Sequence, residues 1–66
     1  MILKDLLEVL NAYDITIEDT TTGEVNNYHF PDDIEPEQLN KTVLMLDTAN
    51  DRYTGKFYII EVEDRN

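Results

Sequence analysis

The sequence predicts an α+β fold: an N-terminal helix packed on a mostly antiparallel four-stranded sheet, built from two hairpins joined by a short connecting helix. Three observations predict it. An apolar stripe of helical period opens the chain, two later stretches alternate with the period of strands, and a proline-bearing acidic segment separates those stretches. The 66 residues read as a single small domain, 1–66. A chain of this size buries only about 60% of its unfolded surface, so its few elements have to cover one another well.

Leu3, Leu6, Leu7 and Leu10 stand at i, i+3, i+4 and i+7, with Lys4, Asp5 and Glu8 on the opposite side. Ile2 and Val9 widen the stripe, and Asn11 is the expected stop because Asn tolerates the left-handed conformation. A helix of about ten residues does not persist alone in water, so it must pack on something. Ile15 and Ile17 alternate with Thr16 and Glu18, the pattern of a half-buried strand. Thr20-Thr21-Thr22-Gly23 makes the turn, with Gly23 supplying a positive φ. The return strand is expected from Glu24 to Phe30. Val25 is out of phase with Tyr28 and Phe30, which predicts a β-bulge at Asn26-Asn27.

Pro31 ends that strand. Between Asp32 and Asn40, Pro36 suits the first position of a short helix and Asn40 its end, with acids ahead of Pro36 favouring the positive end of its dipole. The second hairpin is expected as Thr42 to Asp47, a loop through Asn50 and Gly55, and Lys56 to Glu63, followed by a polar tail. Its strands are apolar on both faces. Leu44 and Leu46 share one face of the third strand, and Val43 and Met45 the other. In the fourth strand Tyr58, Ile60 and Val62 oppose Phe57 and Ile59. Such strands belong where both faces are covered, yet one short helix covers one face. Three readings resolve this. Either the Asp32–Asn40 segment folds over the second face, or these are scattered surface apolars, or Val43, Met45, Phe57 and Ile59 meet a second copy or a partner protein.

Composition removes several function classes. Without Cys there is no disulfide and no thiolate zinc site. A net charge of −10 opposes direct binding to nucleic acid and to anionic membranes. Lys4, Asp5 and Glu8 interrupt any secretory signal, and no apolar run reaches the roughly 20 residues of a membrane span, so a cytoplasmic location is expected. There is no Ser, and His29 is the single histidine, which leaves no Ser–His or Cys–His pair. His29 reads as an exposed structural side chain. Asp32, Asp33, Glu35 and Glu37 are candidates for clamping a hard cation, but EF-hand spacing fails there and again at Asp47–Gly55. Gly23 and Gly55 both read as turn residues, so no phosphate-binding loop is present. The expectation is a protein that is not an enzyme and carries no cofactor and no metal.

The acidity is localised. Residues 14–40 hold eight acids and no Lys or Arg, whereas the two ends of the chain are nearly neutral. Glu18, Asp19, Glu24, Asp32, Asp33, Glu35 and Glu37 therefore form a candidate partner-binding surface. Side chains two apart on a strand face are spaced roughly 6.5–7 Å, close to the phosphate spacing of a nucleic-acid strand. Such a surface can steer onto a basic cleft in place of nucleic acid; it can equally be a solvated face that keeps the protein soluble. Arg52 and Tyr53, at the expected tip of the second hairpin, are side-chain types that concentrate binding energy at interfaces.

The run Leu3-Lys4-Asp5-Leu6-Leu7-Glu8-Val9-Leu10, followed by Asp14-Ile15-Thr16-Ile17, resembles the opening of many short acidic proteins encoded by bacterial phages and prophages. Ile34-Glu35-Pro36-Glu37-Gln38-Leu39-Asn40-Lys41-Thr42-Val43 is similar to an acid-Pro-Glu-x-Leu connector found in such proteins. Some of them inhibit host defence, including anti-CRISPR proteins and DNA mimics. The resemblance implies a mobile-element origin and a non-catalytic inhibitor of a host protein with a basic nucleic-acid-binding surface, a CRISPR-type defence nuclease first among them. It transfers no individual residue, because no inhibitory motif is matched. The alternative is a self-associating structural or assembly protein of phage origin, a homodimer through Val43, Met45, Phe57 and Ile59.

Overall fold

The computed structural model describes residues 1–11, 13–53 and 55–64. In chain order the elements are α1 (Leu3–Val9), β1 (Ile15–Asp19), β2 (Val25–Tyr28), a 3₁₀ turn (Pro31–Asp33), α2 (Pro36–Leu39), β3 (Thr42–Asp51) and β4 (Gly55–Glu63). The strands form one sheet of order β2-β1-β4-β3. Both hairpins are antiparallel, and β4 lies parallel to β1 in the middle. The α+β architecture is the expected one.

The parallel register sets Ile15 beside Tyr58, Ile17 beside Ile60 and Asp19 beside Val62, so these six side chains share one face. Leu3 and Leu6 of α1 and Ile34 of the connector close over that face. Leu7, Leu10, Tyr28, Leu39, Val43 and Tyr58 pack around the edge of the cluster. Ile60 and Val62 are completely buried, and each such side chain stabilises the fold by about 1.5–3 kcal/mol relative to exposure. The chain start is tied to β3 as well: the Leu3 N–H donates to the Lys41 carbonyl (2.9 Å) and the Val43 N–H to the Met1 carbonyl (2.8 Å).

Four local expectations are corrected. The connector does not cover the second face, because Ile34 and Leu39 join the same core as Leu3 and Leu6; the second face stays open. There is no bulge at Asn26-Asn27. Pairing runs unbroken from Ile15 opposite Tyr28 to Glu18 opposite Val25, which leaves Val25 on the open face at 59% exposure. The phase break is real, but Val25 simply points away from the core. Phe30 falls beyond the strand and meets the Tyr13 ring edge-on at 5.8 Å. Instead the irregularity lies in β3, between Val43 and Met45, so Leu44 is the extra residue. Finally, α1 stops at an extended Leu10 rather than a left-handed Asn11. Among the described non-glycine residues the positive φ belongs to Asp14, at 55°.

Both turns owe their shape to an aspartate and a glycine. The Asp19 carboxylate accepts the Thr21 N–H (2.9 Å) and the Thr22 N–H (3.3 Å), and Gly23 takes φ 81°. In the second hairpin β3 continues past Asp47 to Asp51, which pairs with Gly55, so its loop is tighter than the sequence suggested. The Tyr53 N–H donates to the Asp51 carboxylate (2.7 Å), and Gly55 again has φ 81°.

Candidate functional site: the acidic edge and the open sheet face

The acids of residues 14–40 do not form one surface. Asp19 lies on the covered face, as its odd position after Ile15 and Ile17 requires, and is 3% exposed. Its carboxylate accepts from the Lys41 ammonium, which also reaches the Asp64 carboxylate at 3.1 Å. The Gln38 amide lies at the limit of hydrogen bonding, 3.5 Å away. The Lys41 hydrogen bond holds the Asp19 carboxyl below the usual carboxylate range, against the opposing effect of burial, with the Thr21 and Thr22 N–H groups helping. The same bond raises the Lys41 ammonium. Asp19 thus acts inside the fold, joining the first turn, the connector and the end of β4. It does not contribute to the outward acidic field assigned to it from the sequence.

The exposed acids separate into two groups. Glu24 precedes β2, and Glu35 and Glu37 flank the start of α2. All three stand close enough to the Tyr28 phenol to act on it. The phenol donates to the Glu35 carboxylate, and its pKa is pushed up to about 12, first by burial, then by that bond and by the charges of Glu35, Glu24 and Glu37. The same bond lowers the Glu35 carboxyl. Asp32 and Asp33, in the 3₁₀ turn, are exposed too. Asp32 lines a groove with Lys4 and Glu8 of α1, so a cation sits near that end of the acidic edge. Glu24, Glu35 and Glu37 form the acidic edge beside β2.

Glu18 belongs to the other group. It lies on the open face, beside Glu61 of β4 in the parallel register and opposite Val25. Met45 is paired with Glu61, Asp47 with Ile59 and Ala49 with Phe57, so that face mixes Met45, Ala49, Phe57 and Ile59 with Glu18, Asp47 and Glu61. Val43 is not part of it. The extra residue Leu44 shifts the phase of β3, and Val43 pairs with Val62 on the covered side. Met45, Phe57 and Ile59 remain together. Arg52 and Tyr53 do occupy the hairpin tip, and Tyr53 is 89% exposed.

At the far end of β1, His29 Nδ1 meets the Asp14 carboxylate at 2.5 Å, beside an open groove of about 390 Å³ lined also by Thr16, Asn27, Asp51 and Phe57. The His29 side chain is exposed and its ring packs on Phe30. Among the described residues no three His, Asp or Glu side chains come together to hold a metal ion, and no helix is long and apolar enough to cross a membrane. Two sets of residues were invisible to sequence reasoning. Lys41 and Asp64 escaped because their partner, Asp19, is distant in sequence; the period-2 position of Asp19 was the available signal. Asp47 and Glu61 escaped because they lie outside the charge-dense stretch. No family model, curated protein or solved structure matches this chain.

Proposed function

We propose that this protein is a non-catalytic inhibitor that binds the basic, nucleic-acid-binding surface of a host protein, with a CRISPR-type defence nuclease in the cytoplasm of a phage-infected bacterium as the target. The observation that carries the reading is the acidic edge. The Tyr28 phenol donates to Glu35, and the charges of Glu24 and Glu37 act on it as well. Lys41, the one Lys or Arg between Lys4 and Arg52, is occupied by Asp19 and Asp64. A field of one sign steers association with a basic cleft and raises the on-rate, as DNA does for the same cleft.

The test is displacement. Labelled target DNA is bound to CRISPR effector nucleases, this protein is titrated in, and the triple variant Glu24→Lys, Glu35→Lys, Glu37→Lys is run beside it. Displacement by the wild type, lost in the variant and weakened as the screening length falls from about 10 Å at 0.1 M salt to about 3 Å at 1 M, supports the reading. Displacement that survives both treatments removes the acidic edge as determinant. A second reading, a self-associating assembly protein, is favoured by the common face of Met45, Phe57 and Ile59. It is opposed by the carboxylates of Glu18, Asp47, Asp51, Glu61 and Glu63 on that face, which a second copy would bring near their own kind.

A further inference from the structure

We propose that the open face of the sheet docks a cationic amphipathic α-helix of a partner protein. This goes beyond the inhibitor reading and does not depend on it, because Glu24, Glu35 and Glu37 are not on this face.

Along β4, Phe57 and Ile59 point to the open face, followed by Glu61; on β3, Ala49, Asp47 and Met45 stand opposite them in turn. On β1, Thr16 and Glu18 neighbour Ile59 and Glu61. The result is an apolar centre interleaved with Glu18, Asp47 and Glu61, with Asp51 and Glu63 on the same face toward its two ends. No Lys or Arg of the described strand residues lies here, since Lys56 shares the parity of Tyr58 on the covered side and stacks over its ring at 5.3 Å. Glu18 and Glu61 are direct register neighbours on strands about 4.8 Å apart. Like charges placed side by side in a sheet destabilise it, and neither makes an ion pair among the described residues. A cation from outside relieves that repulsion.

The chemistry selects the occupant. A second copy stacked face to face would set the carboxylates of both copies across a gap of about 10 Å with no Lys or Arg of the described strand residues between them. An anionic lipid surface or a nucleic acid carries the wrong sign. An extended peptide finds no free backbone groups on a sheet face, because the ladder has already used them. A helix needs none. Its apolar side chains at i and i+4 are about 6 Å apart, near the ~7 Å between Phe57 and Ile59. Flanking Lys or Arg stems lie along apolar surface while their heads reach carboxylates such as Glu18, Asp47 and Glu61. The opposite face already carries a helix, α1, through the apolar side chains of Leu3 and Leu6.

The probe is a synthetic Leu/Lys peptide of helical period, about five turns long, with two controls: the same residues rearranged to a period of two, and a Lys/Gln peptide of equal charge. Expected are saturable binding, helix gained by the peptide, and amide shifts at Met45, Phe57, Ile59 and Glu61. Asp47→Lys with Glu61→Lys should weaken binding at least about 10-fold, and Met45→Ser about 10-fold, whereas Glu24→Lys with Glu35→Lys should change it less than about 2-fold. Amide dispersion of each variant verifies its fold. Equal binding of either control, or shifts at the β2 edge in place of the open face, overturns the proposal. So does a stable dimer in sedimentation that Met45→Ser dissolves, because a second copy then covers the face. Loss of the DNA-displacement activity with the open face still competent, or the converse, separates this proposal from the inhibitor reading.

Discussion

The two faces of one sheet both carry large apolar side chains and meet opposite fates. Ile15, Ile17, Ile60 and Val62 are sealed beneath α1 and the connector, and the single carboxylate among them, Asp19, is matched by Lys41. On the other face Met45, Phe57 and Ile59 are only partly covered, and among the described residues the carboxylates Glu18, Asp47 and Glu61 make no ion pair. The covered face has the larger apolar set, with Tyr28, Val43, Leu46 and Tyr58 beside the four sealed side chains, and its buried carboxylate is paired within the chain.

Breaking the covered face should have the largest effect. Ile60→Ala, at a completely buried position touching both neighbouring strands, should cost about 4 kcal/mol in denaturant unfolding. The matching Ile59→Ala, one residue along on the open face, should cost no more than about 1 kcal/mol. Equal losses would mean that the open face is covered in solution. Next comes the ion pair. Lys41→Met leaves the Asp19 carboxylate buried without its cation and should cost about 3 kcal/mol, whereas the double variant Lys41→Met with Asp19→Leu should recover most of it.

The pH dependence sharpens the same contrast. The Asp19 carboxyl titrates lower in the folded chain than in the unfolded one, so its contribution is complete above its ordinary value of 3.8 and is lost as pH falls through the folded value. The stability gap between wild type and Asp19→Asn should therefore hold from pH 7 down to the ordinary value of 3.8 and narrow as pH falls below it. Lys41 has the opposite sense: its raised value gives a contribution that is complete below its ordinary 10.5 and lost as pH rises through the folded value. The smallest effect belongs to the open face. Glu18→Gln removes one of two adjacent like charges and should raise stability by about 0.5 kcal/mol in the free protein.

The elements of the fold were legible because their signals are local. Leucines at helical spacing gave α1, alternating isoleucines gave β1, and Pro36 marked the start of α2 to the residue. What escaped depends on tertiary partners. Whether Val25 points inward or outward has no local signal, and a bulge at Asn26-Asn27 was a reasonable but wrong solution. The bulge at Leu44 is hidden because four consecutive apolar residues, Val43 to Leu46, fit either phase. For the candidate surfaces the charge count found Glu24, Glu35 and Glu37 and overcounted Asp19. Position on a face mattered more than density along the chain.

The parallel pairing of β1 with β4 also governs the order in which this molecule can assemble. Each hairpin closes a short loop and can form from neighbouring residues, whereas the seam between β1 and β4 joins opposite ends of the chain and carries Ile17 and Ile60 at its centre. Until that seam closes, neither hairpin has a core. The chain is therefore kinetically two halves awaiting one docking event, and substitutions in the seam should slow folding more than they hasten unfolding.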